Sequence, residues 1–417
     1  MPPADLAVYP RGMRTLPAVI LKPREEDRLL RGHPWVFDNE IRAVNGTATS
    51  GGEVHIYSAQ GRFLGTGLWS PVSKIRVRRY SDSDTPFDAD FIAPRLERAI
   101  AIRAACRNPE TDSSRAVFAE ADGLPGLIVD RYVGIDDKGT KGSWLVTQFL
   151  SKGMDDRREL ILAALDSAYR PTGIMERSEA SVRRLEGLAS RSAIVAGTVP
   201  EAVLITENGL LFRAEIGSGQ KTGWFLDQPE NRAAAARYAS GKVVLDCFCN
   251  AGGFSLASAA SGASLVRALD SSSDAIKSVQ ANAELNGLGN SIQTETGDAF
   301  DYLRRAGQEG QHYGLVILDP PAFAKNKASL DGAARGYKEI NLQALKLLEP
   351  GGILATFSCS YWLSRERFLA ILEDAARDAG ARIRYLEERS QAQDHPVVSG
   401  YPESRYLKGF IVEKMAF

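Results

Sequence analysis

Val243-Val244-Leu245-Asp246-Cys247-Phe248-Cys249-Asn250-Ala251-Gly252-Gly253-Phe254 is the stretch that decides the fold. An apolar run ending in an acid reads as a strand buried on both faces of a parallel sheet. The glycine pair behind it lets the backbone approach a ligand closely before a helix begins near Phe254. The same rhythm continues downstream. Strands are predicted at Val243–Phe248, Ser264–Asp270, Ile292–Gly297, Tyr313–Asp319 and Gly352–Ser358, with helices between them. One such helix, Ser273–Leu285, opens on Ser/Asp capping residues and closes at Asn286-Gly287. Residues 203–417 are therefore predicted to form a doubly wound, Rossmann-like α/β sheet.

Upstream the rhythm is different. From Ala18 to Tyr80 short β-type runs alternate with glycine turns, as in Glu53-Val-His-Ile-Tyr57 followed by Ala59-Gln-Gly-Arg62. One helix is predicted from Pro23 to about Arg31. The polar stretch Ser81–Pro86 marks a boundary. Beyond it, helices at Ala93–Cys106 and Asp155–Ala168 with strands at Leu127–Arg131 and Ser143–Phe149 predict a small α+β domain over 87–202. Residues 16–86 form a compact β-rich module, and residues 1–15 read as a loose tail.

The chain has 417 residues, 44% hydrophobic and 25% charged, which excludes wholesale disorder. No apolar stretch approaches the roughly 18 residues needed to cross a membrane, and the N-terminus does not read as an export signal. Four scattered cysteines, Cys106, Cys247, Cys249 and Cys359, suit neither a disulfide framework nor a CxxC metal site. A cytoplasmic protein without a metal is expected. Net charge is −1 overall, yet residues 1–80 carry +5 and the remainder −6. An arginine-rich appendage on an acidic body suits nucleic acid, and it also reads as a solvated basic surface.

Ligands of open parallel sheets sit at the carboxyl ends of the strands. Those ends read Asp246, Asp270, Asp298, Asp319 and Cys359 in order. Asp270, 24 residues after Asp246, is placed to accept hydrogen bonds from both hydroxyls of a ribose, whether of NAD or of S-adenosylmethionine. GxGxxG is absent, which favours the latter. Upstream, Gly217-Ser-Gly219-Gln220-Lys221-Thr222 imitates a phosphate-binding loop, but Gln220 separates glycine from lysine. In Asp319-Pro320-Pro321-Ala322-Phe323 the prolines stiffen the loop and fix Asp319, whose carboxylate can accept from the exocyclic amine of a base. Cys359 would emerge at the same sheet edge. A thiolate that adds to C6 of a pyrimidine places electron density on C5, which otherwise cannot attack a methyl sulfonium. Cys106, Cys247 and Cys249 read as packing residues, with the last two on one side of a strand. His395 reads as part of a turn. Trp35, Trp69 and Tyr80 read equally as base-stacking platforms and as module core.

The third domain resembles class I S-adenosylmethionine-dependent methyltransferases. From about Leu16 onward the chain is similar to the bacterial 23S rRNA cytosine-C5 methyltransferase family, which joins a PUA domain, a central α+β domain and a catalytic domain. The resemblance is carried by Leu29-Leu-Arg-Gly-His33-Pro34-Trp35-Val-Phe37, Ala121-Asp122-Gly-Leu-Pro-Gly126 and Lys221-Thr-Gly-Trp-Phe-Leu-Asp227-Gln228. It continues through Gly252-Gly253-Phe254, Asp319-Pro-Pro-Ala-Phe323, Arg335-Gly-Tyr-Lys338, Phe357-Ser-Cys359-Ser360 and Asp394-His395-Pro396. It implies that Asp246, Phe248, Gly252, Gly253 and Phe254 line the methionine end of the cofactor, that Asp270 holds the ribose, and that Asp298 and Ala299 flank the adenine. Phe225 and Asp227 would close over the cofactor, Asp319 would orient the cytosine beside it, and Cys359 would be the nucleophile. Asn250-Ala251 replaces the family's Tyr-Thr, and Pro320 stands where other RNA cytosine methyltransferases carry a second cysteine.

The expected function is methylation of C5 of a cytosine in 23S ribosomal RNA, free or in an assembling subunit, with Arg31, Arg76, Arg78 and Arg79 as phosphate contacts. The expectation leaves a homodimer open. Its rivals are guanine methylation of the same RNA, a non-catalytic RNA-binding assembly factor, and, more distantly, a nicotinamide-dependent oxidoreductase.

Overall fold

The computed structural model describes residues 12–217, 223–324 and 326–416. Most of the expected tail, and residues 218–222 of the loop that imitates a phosphate site, lie outside the described residues. Two compact units emerge. One takes residues up to 203 together with 214–226 and 393–404, and the other takes 204–213, 227–392 and 405–417.

The first unit holds a six-stranded sheet in the spatial order Trp35–Phe37, Ile75–Ser81, Phe63–Trp69, Glu53–Tyr57, Ala18–Leu21, Ile41–Asn45. Val19, Leu21, Val36, Val54, Ile56 and Val77 fill its core. The helix expected from Pro23 is confined to Asp27–Leu30, because Arg24 takes a left-handed φ of 72° that no regular helix admits. Arg14, expected in the tail, is instead tied to Asp84 at 2.7 Å and Glu53 at 2.5 Å. A second sheet of the same unit runs Arg191–Gly197, Gly173–Ser178, Lys141–Phe149, Leu127–Asp136, with Ser114–Phe118 paired to the last. Helices Ala89–Ala105 and Arg158–Tyr169 bury Phe91, Ile92, Leu96, Ile161 and Leu165 against it, and Leu68 and Tyr80 of the first sheet join that core. The Ala89–Ala105 helix begins four residues before its expected start because the Asp88 side chain accepts from the Phe91 amide.

The second unit is built on seven strands: β1 (Val243–Cys247), β2 (Leu265–Asp270), β3 (Ile292–Thr296), β4 (Tyr313–Leu318), β5 (Leu348–Ser358), β6 (Ile383–Arg389) and β7 (Lys408–Lys414). Their order is β3-β2-β1-β4-β5-β7-β6, parallel except for β7, which runs antiparallel to both β5 and β6. The expected strands are present within a residue or so, except that β5 starts at Leu348. It absorbs Pro350-Gly351 through a register shift against β4 and a left-handed Gly351. Around the sheet lie α1 (Pro229–Ala236), α2 (Gly253–Ala260), α3 (Ser273–Leu285), α4 (Ala299–Gln308), α5 (Leu330–Leu347) and α6 (Arg365–Asp378). Tyr302, Leu303, Tyr337, Ile340, Phe368 and Leu372 pack onto β4 and β5 side chains such as Val316 and Leu354. The strand order reverses between β1 and β4, so the loops after them part there and open a crevice at the sheet's carboxyl edge. Among the described residues no helix is long and apolar enough to cross a membrane.

The first unit also changes the arginine assignments. Arg78 is 6% exposed and bonds Glu120 at 2.8 Å and Glu186 at 3.0 Å, so its charge is spent inside the protein. Trp35 donates to the same Glu120 at 2.7 Å, and buried Tyr80 donates to Glu53 and to the Thr85 carbonyl. Arg79 donates to the carbonyls of Leu64 and Leu29. Arg76 lies over the Trp69 ring, while Arg31 is exposed. Removing one partner of a buried ion pair strands the other charge. Arg78→Met should therefore lower unfolding free energy by about 3–5 kcal/mol in urea titration, while the RNA affinity of the folded fraction stays unchanged. A loss of RNA affinity without loss of stability would return Arg78 to the phosphate contacts.

Candidate active site

The loop after β1 is shaped by three left-handed residues: Phe248 (φ 65°), Asn250 (φ 50°) and Gly252 (φ 87°). A left-handed phenylalanine is strained by about 1–2 kcal/mol, the kind of strain found where a loop must hold a set shape. Asn250 tolerates the conformation well, and its side-chain oxygen accepts from the Ala251 amide at 2.7 Å. Gly252 is required sterically as well. A Cβ there would lie 2.8 Å from Leu256 and 3.2 Å from Val279. At Gly253 a Cβ would lie 2.6 Å from the Arg232 side chain. Cys247 ends β1 and Cys249 lies in the loop rather than on the strand. Both are buried, with thiols pushed well up by desolvation, as packing residues should be.

Asp246 is fully buried at the end of β1. One oxygen accepts from the Ser255 hydroxyl at 2.6 Å, and the other has no hydrogen-bond partner among the described residues. Burial, with Asp319 and Asp270 adding like charge against the Ser255 hydrogen bond, pushes its carboxyl up to about 7. A buried carboxyl with one oxygen unsatisfied is suited to a cationic group entering the crevice. At the end of β2, half-buried Asp270 accepts from the Asn250 and Ser272 amides at 2.9 Å each, which ties the two loops together and leaves lone pairs for a ligand. Asp298 is exposed and caps α4 through the Phe300 and Asp301 amides, with Ala299 buried behind it.

Asp319, after β4, accepts from the Gln228 side-chain amide at 2.6 Å, and Gln228 is held in turn by Asn231 at 3.1 Å. Phe323 of the same loop packs on Phe300, on Tyr337 and edge-on against Phe248. Asp227 accepts from the Tyr406 hydroxyl at 2.6 Å. Buried Arg232 forms a two-pronged pair with Glu207 at 2.6 and 2.7 Å and feels the charges of Asp227 and Asp319. Half-buried Cys359 follows β5, flanked by two buried serines. The Tyr337 hydroxyl bonds both Ser358 and Ser360 at 2.9 Å, and the Ser360 hydroxyl accepts from the Ala324 amide at 3.2 Å. One tyrosine thus ties the Cys359 loop to the Asp-Pro-Pro loop.

Of the expected site residues, Asp227, Asp246, Phe248, Gly252, Gly253, Phe254, Asp270, Asp298, Ala299, Asp319 and Cys359 belong to the second unit, and Phe225 is grouped with the first. His395 is buried in the first unit, its ring bonded to Asp394 at 2.7 Å, and Asp394 also receives the Arg115 amide and an Arg103 guanidinium. Gln228, Arg232, Ser255, Tyr337 and Tyr406 were not anticipated. Neither were the exposed rings of Tyr361 and Trp362, 5.1 Å apart just beyond Ser360. Gln228 and Tyr337 stand within stretches that carry the family resemblance, which was the available signal.

A crevice at a strand-order reversal, a strained glycine loop and successive strand-end acids define a nucleotide-type cofactor site on a doubly wound sheet. The sequence matches the S-adenosylmethionine-dependent methyltransferase family over residues 183–405 and the PUA-like domain family over 19–82. The chain is a methyltransferase whose cofactor is S-adenosylmethionine. It is 43% identical to ribosomal RNA large subunit methyltransferase I of Aeromonas hydrophila and 41% identical to that of Shewanella denitrificans, each over 94% of this chain and 98% of the other. It belongs to the ribosomal RNA large subunit methyltransferase I family. A solved methyltransferase from Streptococcus mutans shares the fold, with a TM-score of 0.81 and 23% identity over 95% of this chain and 99% of that one.

The raised carboxyl of Asp246 has a consequence for stability. Below its ordinary value of 3.8 the carboxyl is protonated in folded and unfolded chains alike. Between there and about 7 only the unfolded chain releases the proton, so folding loses stability as pH rises, and the loss levels off above 7. Measured by urea unfolding without cofactor from about pH 5 to about pH 8, Asp246→Asn should gain on wild type up to about pH 7 and then level off. A difference that stays flat across that range would place the Asp246 carboxyl in the ordinary range.

Proposed function

We propose that this methyltransferase acts on C5 of a cytosine in 23S ribosomal RNA, with Cys359 as the nucleophile. The observation that carries the reading is the pairing of a half-buried cysteine with Asp319 at adjacent strand ends, joined by the Tyr337–Ser360–Ala324 hydrogen bonds. Methylation of a guanine requires no thiol at that place. The relatives act on large-subunit ribosomal RNA, as their name states, and this chain takes the same substrate class in the proposal.

Bound S-adenosylmethionine supplies an electrophilic methyl group. Around it, Asp246 would take the amino group of the methionine end with the loop Phe248–Phe254, Asp270 would take the ribose, and Asp298 with Ala299 would flank the adenine. Asp227, of the same unit, would cover it. Asp319, its carboxylate held by Gln228, would accept from the exocyclic amine of the flipped cytosine. The Cys359 thiolate bonds to C6, which makes C5 nucleophilic. Once C5 carries the methyl group, loss of the C5 proton and breakage of the sulfur–C6 bond restore the aromatic ring and the free thiolate. Tyr361 and Trp362 offer ring faces to neighbouring bases, and Arg31 and Arg76 offer charge to phosphates.

Unmethylated 23S rRNA incubated with labelled S-adenosylmethionine, then digested for mass spectrometry, tests the reading. Wild type should yield 5-methylcytidine and Cys359→Ala none. Methylguanosine as product, or undiminished methylation by the variant, would make Cys359 a packing residue and transfer the assignment to guanine.

A further inference from the structure

Lys408 opens β7 and is directly paired, across the antiparallel ladder, with Ser358 at the end of β5. It is 6% exposed, and its ammonium donates to the Ser360 carbonyl at 2.7 Å. Among the described residues no carboxylate is paired with it. A buried lysine without an acidic partner is an expensive arrangement, because the charge leaves water with little in return. The carbonyl that Lys408 does reach belongs to the residue immediately after Cys359.

We propose that Lys408 is a positioning residue that acts through Cys359: its buried ammonium holds the neighbouring sulfur as the thiolate, ready to add to the pyrimidine ring. The inference rests on the reading of Cys359 as the nucleophile. Ionisation breaks the S–H bond and sends the proton to solvent, while the ammonium keeps its own three. Two further titratable groups among the described residues belong to the elements packed around this loop. Tyr337 on α5 is a neutral hydroxyl committed to Ser358 and Ser360, and Asp319 is an acid that follows the neighbouring strand β4. Lys408 brings a positive charge to the same loop. Its own behaviour agrees: desolvation draws the ammonium down to about 8, and the charge on Cys359 pulls the other way.

The proton balance of this pair can be read on the full-length protein without RNA or cofactor. Iodoacetamide alkylation is followed against pH, and peptide mass spectrometry separates Cys359 from half-buried Cys106 in the same molecule. Cys247 and Cys249, being buried, should stay unmodified. In wild type Cys359 should reach half its maximal rate at least about one pH unit below an ordinary thiol near 8.5 and below Cys106. Lys408→Met should move that midpoint upward by about one unit or more, and Lys408→Arg should restore it. Methyl transfer should follow the same order, with the pH optimum of the Met variant displaced upward. A wild-type Cys359 midpoint at or above that of Cys106 overturns the proposal without any variant, so a Met variant that does not fold leaves it testable. A Met variant that melts like wild type and titrates like wild type overturns it too. Failure of the nucleophile reading would show separately, as cytosine methylation by Cys359→Ala with the alkylation profile unchanged.

Discussion

The reversal of strand order between β1 and β4 is the constraint on which the site depends. Parallel strands deliver their carboxyl ends to one edge, and the reversal sends the following loops in opposite directions. Everything chemical in the second unit is arranged around the gap this leaves. Asp246 stands on one side with no full set of partners, and Asp319 and Cys359 stand on the other. The polar contacts on each side serve to keep the gap's walls in place. Asp270 braces the β1 loop through the Asn250 amide, and Tyr337 braces the β5 loop against the β4 loop.

That edge was legible because it is written locally. Each strand is a short apolar run ending in its functional residue, so periodicity placed Asp246, Asp270, Asp319 and Cys359 on one edge without any long-range knowledge. The supports are a different matter. Gln228 meets Asp319, Tyr337 meets Ser360 and Lys408 meets the Cys359 loop across separations of tens of residues. No pattern within a single element encodes such a pairing, since it follows from which strands become neighbours. Lys408 in particular carries no signal in the sequence, and it is buried where β7 runs antiparallel beside β5.

Charge was legible in amount but not in use. The arginine excess of the first 80 residues suggested phosphate binding, yet Arg78 is enclosed with Glu120 and Glu186, and Arg14 fastens the start of the described chain to Glu53 and Asp84. Guanidinium groups serve both purposes because the planar fork that grips a phosphate also grips a carboxylate. Composition counts the forks; burial shows which remain available. Arg31 is exposed and Arg76 partly so.

Gly253 illustrates how far such constraints reach. Its missing side chain is not chiefly a matter of backbone freedom, for the volume a methyl group would occupy is already filled by Arg232 arriving from α1. Arg232 in turn is anchored by Glu207, which lies ahead of α1 in the chain. A side chain at 253 would push on Arg232, and shortening Arg232 to make room would strip buried Glu207 of its partner. Three positions well apart in the chain are therefore coupled. Enlarging this glycine of the cofactor loop would therefore be felt first at an ion pair that lies outside the loop.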